Sequence, residues 1–178
     1  IGTPEHLQTA AEITNKSITL VKNDNDLLPL QEGEKVLVTG PSSGKPEMLS
    51  DLLANKGIDT TAYSTYNSPS DGQIQNAVEK ASGADSVLVT AYTANTNEAQ
   101  QRLVQALMDS GKRVVVASMR NPYDLAVFPD VDANVLTYGN QDVSVKALAR
   151  VLTGEVNPTG KLPVSIPGQR DYGFGLSY

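Results

Sequence analysis

Short runs of mostly β-branched residues recur along the chain, each followed by a turn and a stretch with helical spacing. The runs are Val36-Leu37-Val38, Thr60-Thr61-Ala62-Tyr63, Val87-Leu88-Val89, Val114-Val115-Val116 and Val135-Leu136-Thr137. They alternate little between polar and apolar, as strands buried on both faces do. Helical spacing fills the intervals. Met48, Leu49, Leu52 and Leu53 precede Gly57, and Ile74, Ala77, Val78 and Ala81 follow Asp71. Leu103, Val104 and Leu107 precede Gly111, while Val143, Ala147, Leu148, Val151 and Leu152 precede Gly154. A glycine just beyond the last apolar position is a common helix stop. Strands and helices in alternation imply crossover connections and therefore parallel pairing. The expected fold is α/β: a mainly parallel five- or six-stranded sheet with helices on both faces, an α/β sandwich.

The two ends read differently. Residues 4–22 predict a helix with Leu7, Ala11, Thr14, Ile18 and Val21 on one stripe. Thr3 and Pro4 supply its cap and first-turn proline. The tail from Glu155 to Tyr178 contains Pro158, Pro163 and Pro167 among several glycines, so it predicts loop with one short edge strand at 162–166. At 178 residues the chain is expected to form a single domain, 1–178, large enough to bury a core. It opens on Ile1 rather than Met, and is expected to be processed, trimmed or excised from something longer. No signal peptide is expected at its start, and no apolar run approaches the ~20 residues a membrane helix needs.

Charge and rare residues exclude several classes. The net charge is −6, and the 14 lysines and arginines are scattered. A nucleic-acid reader normally carries a basic face, so nucleic acid is not an expected partner. The absence of cysteine removes disulfides, thiolate metal sites and cysteine nucleophiles. His6 is the one histidine. It reads as a solvated or partly packed residue in a first helical turn, which excludes His-rich metal sites and makes a Ser-His-Asp triad hard to build. No metal and no cofactor are expected.

In an open α/β sheet, ligands bind at the carboxyl ends of strands. Four loops qualify here: Gly40 to Lys45, Tyr92 to Glu98, Met119 to Asp124 and Gly139 to Asp142. The first superficially suggests a phosphate cradle. However, three residues separate Gly40 from Gly44 where a P-loop needs four, and Pro46 replaces the hydroxyl that would bind Mg²⁺. A plain strand-to-helix turn is the preferred reading. In the second loop, Glu98 is either an acid/base candidate or, preferably, a helix-opening residue whose charge suits the positive dipole end. Asn95 or Thr96 is then the expected cap. In the third, Asn121 reads as a cap before Pro122. Arg120 there either meets a substrate carboxylate or, preferably, pairs with Asp124 or another acid. No G-x-S-x-G nucleophile elbow occurs.

Several segments resemble the carboxyl-terminal domain of glycoside hydrolase family 3. Ser17-Ile18-Thr19-Leu20-Val21-Lys22-Asn23 followed by Leu28-Pro29-Leu30 is similar to its opening, and Val36 to Pro41 resembles its first strand and Gly-Pro turn. The stretch from Gly154 to Pro167, GEVNPTGKLPVSIP, is similar to the family's GE-x-NPxGKLPVSxP segment almost residue for residue. Tyr172 to Tyr178 resembles its FGxGLSY ending. The segments span the chain in the family's order.

The resemblance implies a two-domain parent enzyme. Its amino-terminal (β/α)₈ barrel, absent from this sequence, carries an aspartate nucleophile and performs retaining hydrolysis through a glycosyl-enzyme intermediate. In the family's β-glucosidases the acid/base glutamate sits on an extended loop after the third strand of the carboxyl-terminal domain. Here that loop runs only from Ala91 to Asn97, and no position matches the glutamate. The short loop, with Arg120-Asn121-Pro122-Tyr123-Asp124, resembles the β-N-acetylglucosaminidases of Gram-positive bacteria, in which a His-Asp pair on the barrel replaces it.

The implied role is a non-catalytic domain of a retaining β-N-acetylglucosaminidase acting on cell-wall muropeptides, as in peptidoglycan recycling. It would pack on the barrel and wall its cleft, at the cell envelope or outside the cell, with the cytoplasm an open alternative. No catalytic residue is expected in this chain, and the fragment alone is expected to be inactive. By loop position, Asn95, Asn97, Arg120 and Asn121 are the candidates for facing the carbohydrate. The alternative is a free-standing carbohydrate- or nucleotide-binding module.

Overall fold

The structure, a computed structural model, describes residues 2–178. Helix α1 (Pro4–Ser17) leads into strand β1 (Thr19–Asn23). Then β2 (Lys35–Pro41), α2 (Pro46–Ala54), β3 (Asp59–Thr65), α3 (Asp71–Ala81), β4 (Ser86–Ala91), α4 (Glu98–Asp109) and β5 (Arg113–Ser118) alternate. A 3-10 turn at Pro122–Val127 separates β5 from β6 (Ala133–Leu136), and α5 (Asp142–Leu152) precedes the tail. The strands form one six-stranded sheet in the order β1-β6-β5-β4-β2-β3. β2 to β6 run parallel to their neighbours, and β1 is antiparallel to β6.

Period-two geometry sends successive strand side chains to opposite faces. Val36, Val38, Leu88 and Val115 pack with Leu49 and Leu53 of α2 and Val145 and Leu148 of α5. Leu37, Val87, Val89, Val114 and Val116 pack on the other face, with Ala77 and Ala81 of α3 and Leu103, Val104 and Leu107 of α4. Both faces of β4 and β5 are thus covered, which is why their sequences show no polar alternation. The architecture is the α/β sandwich that the sequence predicts. Ser70 caps α3 in a full capping box with Gln73, and Pro46 opens α2 as its first helical residue.

Two expectations are corrected. The helix predicted over 4–22 stops at Ser17, and residues 19–23 form β1. Ile18, Leu20 and Val21 are all fully buried, Leu20 against the main core and Val21 on the opposite side beneath the tail. One helical stripe cannot bury neighbours on opposite sides. Leu7, assigned to that stripe, is 63% exposed, and α1 buries none of its residues fully.

The second correction concerns the edge strand predicted at 162–166, which does not form. Pro163 and Pro167 lack the amide a ladder needs. The segment is pinned instead by isolated contacts: Leu162 N–H donates to the Phe174 carbonyl at 2.8 Å, and Ile166 bridges Arg170. Leu162 and Ile166 are nonetheless buried against Val21, Leu125 and Leu136. The sixth strand is β1, at the other end of the chain.

Candidate functional site

Because β2 to β6 point the same way, their carboxyl ends share one rim of the sheet. The turn after β2 is tied to the loop after β6: Asn140 Nδ2 donates to the Ser43 carbonyl at 2.8 Å, and Lys45 Nζ meets Asp142 Oδ1 at 2.7 Å. The lysine hydrogen bond and charge hold the Asp142 carboxyl below its usual range. Lys45 itself adopts a left-handed conformation as it enters α2. The turn therefore delivers the chain into a helix and engages its lysine with a protein carboxylate.

The loops after β3 and β4 are braced by α4. Asn97 caps that helix by accepting the Gln100 N–H at 3.2 Å, so the cap is Asn97 rather than Asn95 or Thr96. Its amide nitrogen donates to the Asn67 carbonyl at 2.9 Å and to Ser68 Oγ at 3.1 Å. Gln100, buried, donates to the Asn67 and Tyr92 carbonyls at 2.9 Å and accepts from the Tyr92 N–H at 3.0 Å. Both ends of the Asn97 side chain are thus engaged, and its partners lie on α4 and the loop after β3 rather than among the other nominated residues. Gln100 went unnoticed in the sequence, although its spacing from Asn97 is that of a capping box.

Asn95, Asn121 and Arg120 do come together on the loops after β4 and β5. Asn121 Nδ2 donates to Asn95 Oδ1 at 3.1 Å, while Asn121 Oδ1 caps the Pro122–Val127 turn by accepting the Tyr123 N–H at 2.9 Å. Arg120 is exposed and lies over the Tyr92 ring, 5.6 Å from its centroid, with Nη1 at 3.3 Å from the phenol oxygen. It does not pair with Asp124. That carboxylate is fully buried, and its Oδ1 accepts the Asn95 N–H at 2.9 Å. Burial pushes the Asp124 carboxyl above its usual range, opposed by the Asn95 and Ala94 amides. Sequence reading treated Asp124 only as a partner for Arg120, since its burial arises from the packing of two loops far apart in the chain.

Residues 92–97 carry no acid, and Glu98 is exposed in the first turn of α4. Among the described residues, no three His, Cys, Asp or Glu side chains gather as a metal site. No helix is long and apolar enough to cross a membrane. A hollow of about 230 Å³ lined by Lys35, Asp59 and Lys80 opens at the amino ends of β2 and β3, and none of the four nominated residues lines it. The rim thus offers paired amides, a stacked guanidinium and tyrosine, and no exposed carboxylate on the β4–α4 loop. Such groups can hydrogen-bond a polar ligand but cannot relay a proton from that loop.

Comparison with known proteins agrees with this architecture. The glycosyl hydrolase family 3 C-terminal domain matches residues 18–177. The structure of a family 3 β-N-acetylglucosaminidase from Paenibacillus sp. str. FPU-7 superposes with a TM-score of 0.83 and 27% identity, over 93% of this chain and 34% of that one. β-Glucosidase from Listeria innocua, solved in complex with glucose, gives a TM-score of 0.84 at 19% identity, over 100% of this chain and 34% of its own. A β-xylosidase of Formosa agariphila is 27% identical over 221 residues, 97% of this chain and 29% of the relative. The chain therefore spans about a third of the length of the proteins it matches. On its sequence match and its sheet topology together, the chain belongs to the glycosyl hydrolase family 3 C-terminal domain family.

Proposed function

We propose that this chain is the accessory domain of a retaining β-N-acetylglucosaminidase acting on cell-wall muropeptides. In this reading the remainder of the protein supplies a catalytic barrel, and the rim after β4 and β5 walls its cleft. The enzyme would work at the cell envelope or outside the cell.

The observation that carries the proposal is the β4–α4 loop. A retaining glycosidase needs a general acid beside the leaving oxygen and a nucleophilic carboxylate on the opposite side of the sugar. The loop holds no acid, Glu98 is tied to the start of α4, and Asp124 is fully buried. In this reading both catalytic groups come from outside this chain. The likeness to the Paenibacillus β-N-acetylglucosaminidase supports the choice of sugar, while glucosidases and xylosidases share the fold and the family.

The test compares this chain alone with the full-length protein on chromogenic β-N-acetylglucosaminide, β-glucoside and β-xyloside. The full-length protein is expected to prefer the N-acetylglucosaminide, and the isolated chain to release no chromophore from any of them. Turnover by the chain alone, abolished by Glu98→Gln, would overturn the reading. A full-length preference for glucoside or xyloside would overturn the sugar assignment only.

A further inference from the structure

We infer that Asp124 is a positioning residue, which holds the Ala94–Asn95 turn from beneath so that the Asn95–Asn121 amide pair faces the cleft. The inference rests on the cleft reading above and names the group that sets its geometry.

Three observations converge on it. Asp124 is fully buried, and its Oδ1 accepts the Asn95 N–H at 2.9 Å, bridging two loops that are 29 residues apart. Its second oxygen, Oδ2, is buried and makes no well-formed hydrogen bond, although the Ala94 amide lies near enough to oppose the effect of burial on the carboxyl. A carboxylate kept dry with half its acceptor capacity unused costs the fold stability, so packing alone does not account for an acid here. The turn it holds is also strained. Thr93 has φ 54°, a left-handed conformation disfavoured for a β-branched residue, and its buried Oγ1 likewise lacks a partner.

Strain of this kind persists only where the surroundings over-determine it. Asp124 restrains the Asn95 amide, and Gln101 Nε2 donates to the Ala94 carbonyl at 2.8 Å. From the side, Asn121 Nδ2 grips Asn95 Oδ1 at 3.1 Å. Asn121 and Asp124 belong to the same short segment, because Asn121 caps the 3-10 turn that carries Asp124. One segment therefore grips the Asn95 residue twice, by its backbone and by its side chain. With the Asp124 acceptor removed, the grip on the Asn95 amide is lost while Gln101 still holds the Ala94 carbonyl at 2.8 Å, so Asn95 pivots away from Asn121.

The experiment uses the full-length protein with Asp124→Ala, Asp124→Asn and Asn121→Ala. It reads KM and kcat on the chromogenic substrate the parent prefers, and the hydrogen-exchange protection of the Asn95 amide. Asp124→Ala is expected to lower that protection and raise KM about tenfold, the equivalent of one net hydrogen bond, with kcat within about twofold. Asp124→Asn keeps an oxygen acceptor and is expected to restore KM to within about twofold of the parent. Asn121→Ala is expected to raise KM as well. A raised KM in Asn121→Ala beside an unchanged KM in Asp124→Ala overturns the positioning role alone. An unchanged KM in Asn121→Ala sinks the cleft reading and this inference with it. Should Asp124→Ala fail to fold, Asp124→Glu, which misplaces the carboxylate, decides instead: raised KM with kcat intact supports the role, and unchanged KM overturns it.

Discussion

The Arg120 guanidinium sits over the Tyr92 ring, 5.6 Å from its centroid, and closes the pair with a 3.3 Å hydrogen bond to the phenol oxygen. This contact joins the loops after β4 and β5 on their solvent side, as the Asp124–Asn95 bond does beneath. Exposed cation–π pairs contribute little. Arg120→Ala is therefore expected to lower the unfolding free energy of the chain by about 0.5–1 kcal/mol in urea titration. A loss several times larger would mean the pair carries structural weight that its exposure denies.

Gly40 lies where β2 passes β4. Its φ is 139°, and a Cβ there would sit 2.6 Å from the Thr90 carbonyl oxygen. Gly40→Ala should cost about 3 kcal/mol or more, from backbone strain and the clash together. Gly33 also has positive φ, 82°, but open space around it. Gly33→Ala should cost about 1 kcal/mol. Urea midpoints of the two variants are expected to differ in that order, and equal losses would contradict the close approach.

Asp124 makes stability depend on pH in a stated direction. Its folded-state pKa lies above the ordinary 3.8 because of burial, so the folded chain retains the proton over a range where the unfolded chain has released it. The stabilisation this gives is complete below about 3.8 and is lost as pH rises through the raised folded value. Asp142 and Glu155 have the opposite sign, since Lys45 and Lys56 respectively hold them low, and their contribution falls away in acid. Comparing the chain with its Asp124→Asn variant cancels those two. Stability of the unaltered chain relative to the variant is expected to fall as pH rises above about 3.8 and to level off once pH passes the raised folded value. A pH-independent difference would refute the assignment.

Core position should separate two leucines that periodicity treats alike. Leu53 is fully buried in α2, and Leu53→Ala should cost about 3 kcal/mol. Leu7 is 63% exposed, and Leu7→Ala should stay within about 0.5 kcal/mol of the parent chain. Chemical denaturation of both variants checks the pair.

Residues whose surroundings are dictated locally were legible in the sequence. Val36-Leu37-Val38, Val87-Leu88-Val89 and Val114-Val115-Val116 read as strands because burial on both faces leaves no room for polar alternation. β1 was not legible. Ile18 and Val21 continue the three-and-four spacing of Leu7, Ala11 and Thr14, and what overrides it is pairing with β6, more than a hundred residues away. The rim divides in the same way. Asn121 and Pro122 announced their turn, because capping is local. The lateral use of Asn97 and the buried acceptor role of Asp124 depend on Asn67 and Asn95, which only tertiary folding brings alongside.

α1 spans 14 residues without burying any of them fully. A helix of that length is marginal in water without an apolar face to anchor it, and here the support is contact along α5. Its amides should open ahead of the cooperative melting of the sheet. Limited proteolysis would accordingly trim the chain towards Ile18 and halt there, because from that residue onward the backbone is locked into β1 and beyond a protease's reach.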